Sequence, residues 1–294
     1  MIRKFLRWLF WLGWALAVSS VAAVLFFRFV PPYWTATMLM DENGITRDWE
    51  PLDRIDRDMV RAAVAAEDGK FCAHDGFDWD AIEEAARRNA QGGRIRGGST
   101  ISQQTAKNVF LWQGGGYPRK VAEAYFTVLI EGIWGKRRIM EVYLNVAETG
   151  IGTYGVEEGA QRYFGKGAAN LSRREAAAIA AVLPLPKERP GRNPTGFTAR
   201  YGSTIASRIG QVERDGLDAC VYETGDAPMS QETPEAPQPD PAPTPRPAQP
   251  VEPEPTEPEV EPALPDAPIE EPTDPAPVET PPAEPPVEMP PPEA

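Results

Sequence analysis

Residues 97–108 place hydroxyls, amides and one cation at helical spacing behind two glycines, in the order GGSTISQQTAKN. The glycines permit a tight turn, and Ser99 is a favourable helix N-cap. The first backbone N–H groups of a helix attract anions, and Lys107 adds a full positive charge two turns further on. Adjacent glutamines suit the recognition of sugar hydroxyls or amides better than they suit a merely soluble surface. The segment therefore predicts a helix that binds a polar, anionic ligand.

Two carboxylates beside apolar helices are candidates for acid–base chemistry. Glu67 and Asp68 end one apolar run and lead into a glycine-containing segment. Burial at such a position raises the pKa of a carboxyl, as a general acid or base requires. Glu123 follows Arg119 and Lys120 near the start of a second, strongly apolar helix, where a carboxylate is unusual unless it faces a functional site. An ordinary surface position is the plain alternative for Glu67.

A run of three cations, Lys136, Arg137 and Arg138, precedes a further apolar helix that contains Asn145. A solvated helix start, or a contact with anionic lipid headgroups, would explain such a run without any catalytic role. Positive charge is unfavourable at a helix N-terminus, however, so its presence indicates that the cations are used.

Apolar residues at helical intervals predict the elements that must position these side chains. The predicted helices cover residues 56–67, 79–91, 99–112, 120–134, 138–146, 156–164, 172–183 and 199–216. Ser172 and Glu175 form a predicted capping box at the start of one of them. The best strand candidate is residues 34–40, WTATMLM. The sequence therefore predicts a mainly α domain over residues 33–223, large enough for one core.

The net charge of −13 is not spread evenly along the chain. Residues 226–294 contain 17 acidic residues, one basic residue and 25 of the 33 prolines, which leaves residues 1–225 with a net charge of +3. The body is therefore mildly basic, and its composition does not exclude anionic partners. The Pro/Glu-rich tail over 226–294 has too few large apolar residues to fold, which predicts a disordered, polyproline-like spacer.

Residues 8–27 are uncharged, with three cations before them and Arg28 after them. Twenty helical residues span roughly 30 Å, the thickness of a bilayer core. We expect a transmembrane anchor over 8–28, with the positively charged residues 1–7 in the cytoplasm and the body on the other side. A cleaved signal peptide is the alternative, although the apolar run exceeds the roughly 7–15 residues usual in such peptides.

Two cysteines and one histidine, His74, exclude a zinc site built from the usual ligands. Cys72 and Cys220 could pair in an oxidising compartment. The sequence does not place their Cα atoms within reach of each other, and a body of this size needs no covalent cross-link. We therefore expect free thiols and leave a disulfide open.

Taken in order, the segments 67–78, 97–108, 119–123 and 136–145 resemble the motifs of the family 51 glycosyltransferases, the peptidoglycan polymerases. The resemblance covers roughly residues 35–215, and four motifs in this order are highly specific. The Pro/Glu-rich tail follows, with no penicillin-binding transpeptidase domain. The chain is therefore similar to the monofunctional biosynthetic peptidoglycan transglycosylases of Gram-negative bacteria.

The resemblance implies a lysozyme-like helical glycosyltransferase domain that acts on lipid II. Glu67 would be the general base that removes a proton from the acceptor 4-hydroxyl, whose oxygen attacks the anomeric carbon of the donor with inversion. Polyprenyl diphosphate would leave, assisted by Glu123 directly or through Mg²⁺ or another divalent cation. Clustered cations fit this chemistry because the leaving group is a diphosphate.

The resemblance also assigns a set of substrate-binding residues. They are Asp68, Phe71, His74, Gly98, Ser99, Thr100, Gln103, Gln104, Lys107, Asn108, Arg119, Lys120, Lys136, Arg137 and Asn145. Many family members carry a phosphate-binding arginine four residues before Arg119, where this chain has Gly115. Either Arg119 or the cations at 136–138 replace that arginine, or phosphate binding is weaker.

The implied partners are lipid II, the growing glycan strand and the bilayer, with no nucleic acid; other cell-wall synthesis or division proteins are candidate partners of the tail. The implied location is the bacterial inner membrane, with the catalytic domain in the periplasm. Two other classes stay open. One is a lytic muramidase, which needs no phosphate-binding cations. The other is a non-catalytic scaffold that recruits partners through the anchor and the tail.

Overall fold

The computed structural model describes residues 1–90 and 98–222, and within them the chain is mainly helical, as the sequence predicts. The helices are α1 (Ile2–Phe29), α2 (Ala36–Leu39), α3 (Arg57–Glu67), α4 (Trp79–Ala90), α5 (Ile101–Phe110), α6 (Gly116–Val146), α7 (Val156–Phe164), α8 (Arg173–Val182), α9 (Gly196–Arg214) and α10 (Ala219–Tyr222). Single turns of 3₁₀ helix occupy Leu52–Arg54 and Ala168–Asn170. The predicted tail, residues 226–294, lies outside the described residues.

A small sheet of three strands is present, with β1 (Thr46–Arg47), β2 (Glu148–Gly150) and β3 (Thr153–Tyr154) in the order β1-β3-β2. The central strand β3 runs parallel to β1 and antiparallel to β2. The sheet thereby joins the segment before α3 to the segment between α6 and α7.

The predicted strand over residues 34–40 is wrong, because this segment contains the single helical turn α2. Thr35 caps the turn by accepting a hydrogen bond from the backbone N–H of Met38 at 3.3 Å. The Thr37 side chain is buried, and its hydroxyl donates to the carbonyl of Leu111. Local capping and burial thus outweigh the strand propensity of the segment.

The core lies where α3, α8 and α9 pack together. Alanines dominate the buried face of α8, which lets the neighbouring helices approach it closely. Ser172 and Glu175 form the predicted capping box at its start. Because α3 is fully buried at Met59 and Val64, its last residue, Glu67, is held at the edge of the core.

The two helices predicted over 120–134 and 138–146 form the one element α6, which is broken at Gly135. Gly135 has φ +76° and ψ 161°, a conformation that L side chains rarely adopt, so glycine permits the break. Helix α5 packs along α6. The element therefore carries Glu123 before the break and Tyr143 after it.

Helix α1 extends beyond the predicted anchor at both ends. Among the described residues, it is the one helix that is long and apolar enough to cross a membrane, by length and composition. The Trp134 indole of α6 donates to the carbonyl of Val24 at 2.7 Å, and Arg138 donates to the carbonyl of Phe27 at 2.9 Å. Helix α1 is therefore held against α6 by direct hydrogen bonds.

The expectation of free thiols is wrong, because Cys72 and Cys220 form a disulfide. Their Cα atoms lie 5.5 Å apart although 148 residues separate them in sequence. Folding brings α10 against α6 and thus beside the segment that follows Glu67, a proximity that no local pattern encodes. The bond ties that segment to the end of the described body.

We expect reduction of this disulfide to lower the free energy of unfolding by about 2–5 kcal/mol, because the cross-link restricts a long loop in the unfolded chain. Urea unfolding of the full chain in detergent, with and without dithiothreitol, measures the change. The double variant Cys72→Ser/Cys220→Ser is the control and should unfold identically in both conditions. An unchanged wild-type midpoint after complete reduction would contradict the prediction.

Candidate active site

Glu67 ends α3 with one carboxylate oxygen bound and the other free. The Gln104 side-chain amide donates to Oε2 at 2.8 Å. Oε1 is buried and has no hydrogen-bond partner among the described residues. Burial raises the pKa of Glu67, while the Gln104 hydrogen bond and then the charge of Arg189 oppose the rise. A carboxylate with a raised pKa and an open oxygen is suited to accept a proton.

Asp68 fixes Glu67 relative to α5. Its Oδ2 accepts a hydrogen bond from the backbone N–H of Ile101 at 3.0 Å, and its Oδ1 lies 2.9 Å from His74 Nε2. The backbone N–H of Gly76 donates to His74 Nδ1 at 3.1 Å, so Nε2 carries the proton and donates to Asp68. Asp68 and His74 therefore connect the end of α3 to the start of α5.

The start of α5 is used within the chain rather than left open to an anion. The N-cap is Thr100, not Ser99 as predicted, and Thr100 and Gln103 form a reciprocal capping box. The backbone N–H of Ile101 donates to Asp68 and that of Gln103 donates to the Thr100 hydroxyl, so two of the first donors of the helix already have partners. Gln103 is only 4% exposed. Gln103 therefore serves in the capping box, whereas Gln104 is the one of the two glutamines that lines the cavity described below.

The polar face of α5 lines a cavity of about 650 Å³ with Gln104, Lys107 and Asn108. Tyr143 and the segment 183–188 form other parts of its wall. No described residue hydrogen-bonds or ion-pairs with the Lys107 ammonium. Burial lowers the pKa of Lys107, and the negative charge of Glu123 partly offsets this shift. The cavity therefore contains a cation without a bonded counter-ion in the described part of the chain.

Glu123 is 2% exposed and binds the two cations that precede it on α6. Arg119 Nη1 lies 2.6 Å from its Oε2, and the Lys120 ammonium binds its Oε1. Lys120 also donates to the hydroxyl of Ser99 at 3.0 Å. Glu123 thereby holds both cations near the turn that precedes α5.

The residues around Glu123 do not form the donor set of a magnesium ion. Both Glu123 oxygens already bind cations, whereas Mg²⁺ requires oxygen ligands free of such partners. Within residues 1–90 and 98–222, no group of three or more His, Cys, Asp or Glu side chains could hold a metal ion. We therefore derive no step through a metal.

Gly115 has a structural reason to differ from arginine. It is the N-cap of α6 and has φ +84°, which favours glycine. A Cβ there would lie 3.0 Å from the Cβ of Arg119 and 3.1 Å from the Trp112 indole nitrogen. Arg119 folds back to donate to the carbonyl of Gly114. Arg119 therefore lies directly beside position 115, where many family members carry an arginine.

Lys136 and Arg137 are held by internal partners instead of facing the cavity. The Lys136 ammonium lies 2.8 Å from Glu131 Oε1 and donates to the carbonyl of His74 at 2.5 Å. Arg137 binds the carboxylate of Asp53 at 2.7 Å. These contacts give both cations a supporting position in the fold.

Phe71, Gly98 and Asn145 also occupy supporting positions. Phe71 is fully buried. The Asn145 amide accepts from the backbone N–H of Glu50 at 2.7 Å and donates to its carbonyl at 2.8 Å. A Cβ on Gly98 would lie 3.1 Å from the carbonyl oxygen of Ala81, so glycine allows the turn to approach α4.

Arg189 acts on Glu67 but was not singled out from the sequence. Its guanidinium lies over the rings of Phe197 and Tyr201, at 5.2 and 5.6 Å from their centroids, and donates to the carbonyl of Ala181 at 2.8 Å. Its charge lowers the pKa of Glu67. In the sequence, Arg189 is simply a cation in the proline-rich segment after α8, and such a segment indicates a turn and not a functional site.

Tyr143 falls within the apolar helix predicted over residues 138–146. It is 1% exposed, lines the cavity, and has a hydroxyl without a hydrogen-bond partner among the described residues. Burial and then the charges of Glu67 and Asp68 raise its pKa well above 10.0. No sequence pattern distinguishes such a tyrosine from a core residue.

Comparison with known proteins gives a consistent result. The family described as transglycosylase matches residues 35–208. Proteins named biosynthetic peptidoglycan transglycosylase are similar over most of their own length. Those of Caulobacter vibrioides and Rhodospirillum centenum are 49% and 50% identical, over 70% and 71% of this chain and 91% and 92% of their own. That of Pseudomonas fluorescens is 42% identical over 78% of this chain and 98% of its own.

Replacement of Gln104 by leucine should raise the pKa of Glu67 further, because the lost hydrogen bond stabilises the ionised carboxylate. Carbon-13 NMR titration of side-chain-labelled glutamate measures the shift, with the resonance assigned by its absence in Glu67→Gln. Gln161→Leu is the matched control, since Gln161 donates in the same way to Glu157 on α7. A Glu67 pKa that stays unchanged or falls in Gln104→Leu would refute the prediction.

Proposed function

The chain belongs to the transglycosylase family, and from this premise we propose roles for its individual residues and its membrane placement. It is a peptidoglycan glycosyltransferase of cell-wall synthesis with a lysozyme-like domain. The family implies lipid II and the glycan strand as substrates. What remains to be assigned is the base, the groups that stabilise the leaving diphosphate, and the side of the membrane on which they act.

Glu67 is the general base in this proposal. Its Oε1 removes the proton from the acceptor 4-hydroxyl, and the acceptor oxygen forms a bond to the anomeric carbon of the donor. The bond from that carbon to the diphosphate oxygen breaks on the opposite face, which inverts the centre and releases polyprenyl diphosphate. The supporting observation is that Glu67 Oε1 is buried and has no hydrogen-bond partner among the described residues. The other oxygen of Glu67 binds Gln104, and Gln104 lines the cavity.

The leaving diphosphate requires positive charge that is already in place. Lys107 supplies an ammonium in the cavity that pairs with no described residue, and Glu123 holds two further cations, Arg119 and Lys120. The charge of Glu123 also acts on Lys107. Glu123 therefore serves to organise cations around the diphosphate, a role distinct from that of Glu67.

Both roles depend on protonation. Glu67 must be ionised to accept a proton, so the rate is lost as the pH falls through a pKa raised above the ordinary 4.5. Lys107 must be protonated to bind the diphosphate, so the rate is lost as the pH rises through a pKa lowered from 10.5.

The proposed membrane placement has α1 spanning the inner membrane with residues 1–7 in the cytoplasm and the body in the periplasm. Three cations before the apolar stretch favour this orientation. The disulfide between Cys72 and Cys220 supports it independently, because such bonds persist in oxidising compartments.

An exposed apolar stripe on α6 supports contact between the body and the bilayer. Tyr117, Val121 and Val128 are 90%, 71% and 60% exposed. The same half of α6 contacts α1, where the hydroxyls of Ser20 and Tyr125 share a hydrogen bond of 2.7 Å. The stripe is thus placed to enter the membrane interface beside the anchor.

Replacement of Glu67 by glutamine should lower lipid II polymerisation by about 10²–10⁴-fold, the usual contribution of a general base. Gel analysis of glycan strands made from labelled lipid II measures the loss. Glu84→Gln, on the exposed face of α4, is the control and should retain wild-type activity. Retained turnover by Glu67→Gln would show that Glu67 is not the general base. Purified sacculi, tested in parallel, should release no soluble muropeptides, which a muramidase would produce.

Lys107→Gln should lower kcat/KM for lipid II by about 10–150-fold, since a hydrogen bond to a charged group contributes about 1.5–3 kcal/mol. Lys107→Arg should recover part of this loss. Lys166→Gln removes a cation that pairs with Glu175 outside the cavity, and it should have no effect. Each assay is repeated with magnesium and with a chelator, and equal losses in both conditions are expected. A wild-type rate for Lys107→Gln would remove this residue from the diphosphate site.

A further inference from the structure

Tyr143 is a buried residue whose hydroxyl has no hydrogen-bond partner among the described residues. Two other phenols in the body are bonded: Tyr154 donates to Asp41 at 2.6 Å, and Tyr163 donates to the carbonyl of Thr149 at 2.6 Å. Tyr222 also has a buried oxygen without a hydrogen-bond partner among the described residues, but it does not line the cavity. The Tyr143 hydroxyl is shielded from solvent and forms no such bond with a described residue. Buried polar atoms of native proteins nearly always have partners, so we expect this hydroxyl to bind a group that the described part of the chain does not supply.

The position of Tyr143 indicates where that partner comes from. Its side chain lines the same cavity as Gln104 and Lys107. Gln104 also donates to Glu67 Oε2 at 2.8 Å, and the charge of Glu67 contributes to the raised pKa of the Tyr143 phenol. The phenol stays protonated there, since its pKa is raised, and it is therefore available as a hydrogen-bond donor.

Glu67 Oε1 is the complementary atom. It is buried and unpartnered among the described residues, like the Tyr143 hydroxyl, but as part of a carboxylate it accepts where the phenol donates. The two atoms form no hydrogen bond with each other. A single group that both donates and accepts would satisfy both, and a sugar hydroxyl has this character, with one donor and two acceptor positions.

We propose that Tyr143 is a positioning residue for the acceptor: its phenol donates a hydrogen bond to the 4-hydroxyl oxygen of the acceptor sugar while that hydroxyl donates to Glu67 Oε1. This inference rests on the proposed role of Glu67 as the base. One lone pair of the acceptor oxygen accepts from Tyr143, the proton moves to Glu67 Oε1, and the electron pair it leaves attacks the anomeric carbon. Tyr143 itself gains and loses no proton.

A purely structural role would also make Tyr143 sensitive to large substitutions, so the test removes the hydroxyl alone. Tyr143→Phe keeps the ring that packs in α6. Tyr222→Phe is the matched control, because Tyr222 on α10 is a second phenol with a buried oxygen that has no hydrogen-bond partner among the described residues and it lies outside the cavity lining. Both variants should keep the wild-type unfolding midpoint.

The kinetic measurement is lipid II polymerisation by the full chain. Tyr143→Phe should lower kcat/KM by about 10–100-fold, the range expected for loss of one partner of a buried hydrogen bond. Tyr222→Phe should be indistinguishable from the wild type. Equal kcat/KM for Tyr143→Phe and the wild type would overturn the proposal.

A second measurement identifies the hydroxyl that Tyr143 binds. Two lipid II analogues are used whose sugar–phosphate oxygen is replaced by CH₂, so that neither acts as a donor, and only one retains the 4-hydroxyl. The wild type should be inhibited more strongly by the analogue with the hydroxyl, and the ratio of the two inhibition constants should shrink toward one in Tyr143→Phe. An unchanged ratio would show that Tyr143 does not bind this hydroxyl and would equally overturn the proposal.

The result is separable from the assignment of the base. If Glu67→Gln remains active, the proposed role of Glu67 fails, and this inference fails with it. If Glu67→Gln is inactive while Tyr143→Phe has wild-type kinetics and an unchanged inhibitor ratio, only the inference about Tyr143 fails.

Discussion

The bond between Asp68 and the first backbone N–H of α5 is the contact on which the geometry of the site depends. It places a buried carboxylate at the positive end of a helix, where the charge is stabilised, and His74 supplies a second donor. Because Asp68 directly follows Glu67, the bond fixes the distance from Glu67 to the face of α5 that carries Gln104 and Lys107. A buried carboxylate without these donors would be strongly unfavourable, so the connection forms as part of the fold.

Two carboxylates acquire different chemistry from different surroundings. Glu67 has one neutral amide donor and one unpartnered oxygen, so burial dominates and its pKa rises. Glu123 is buried more deeply, with 2% of its surface exposed, but it binds a cation at each oxygen, with Arg119 and Lys120 one turn or less away on the same helix. In the roles we propose, the base requires affinity for a proton, whereas the residue that organises cations requires a bond to each of them. The chain separates these requirements by placing one carboxylate at a helix end and the other within a helix.

Sequence reasoning succeeded where the relevant physics is local. Helical periodicity predicted α3 and α7 closely because burial of one helix face repeats along the chain. The predictions were wrong where contacts between residues distant in sequence determine the local structure. Thr100 rather than Ser99 caps α5 because Thr100 is buried against the carbonyl of Gly76, 24 residues away. The disulfide and the environment of the Tyr143 hydroxyl likewise depend on which residues the fold brings together, and residue spacing does not predict that.

The cations at 136–138 show why charge near a motif does not by itself identify a ligand site. They follow the break at Gly135, where a helix start disfavours positive charge, and each has a compensating acceptor: for Arg138 these include the carbonyls of Phe27 and Val30 at the end of α1. The run therefore joins α1 to the helix that carries Glu123 and Tyr143. In the membrane placement we propose, this junction sets the height of the cavity above the bilayer. In the function we propose, the donor sugar is linked to its lipid through a diphosphate, so the reacting carbon lies one diphosphate length from the membrane surface. The cavity must therefore be held at a fixed distance from that surface.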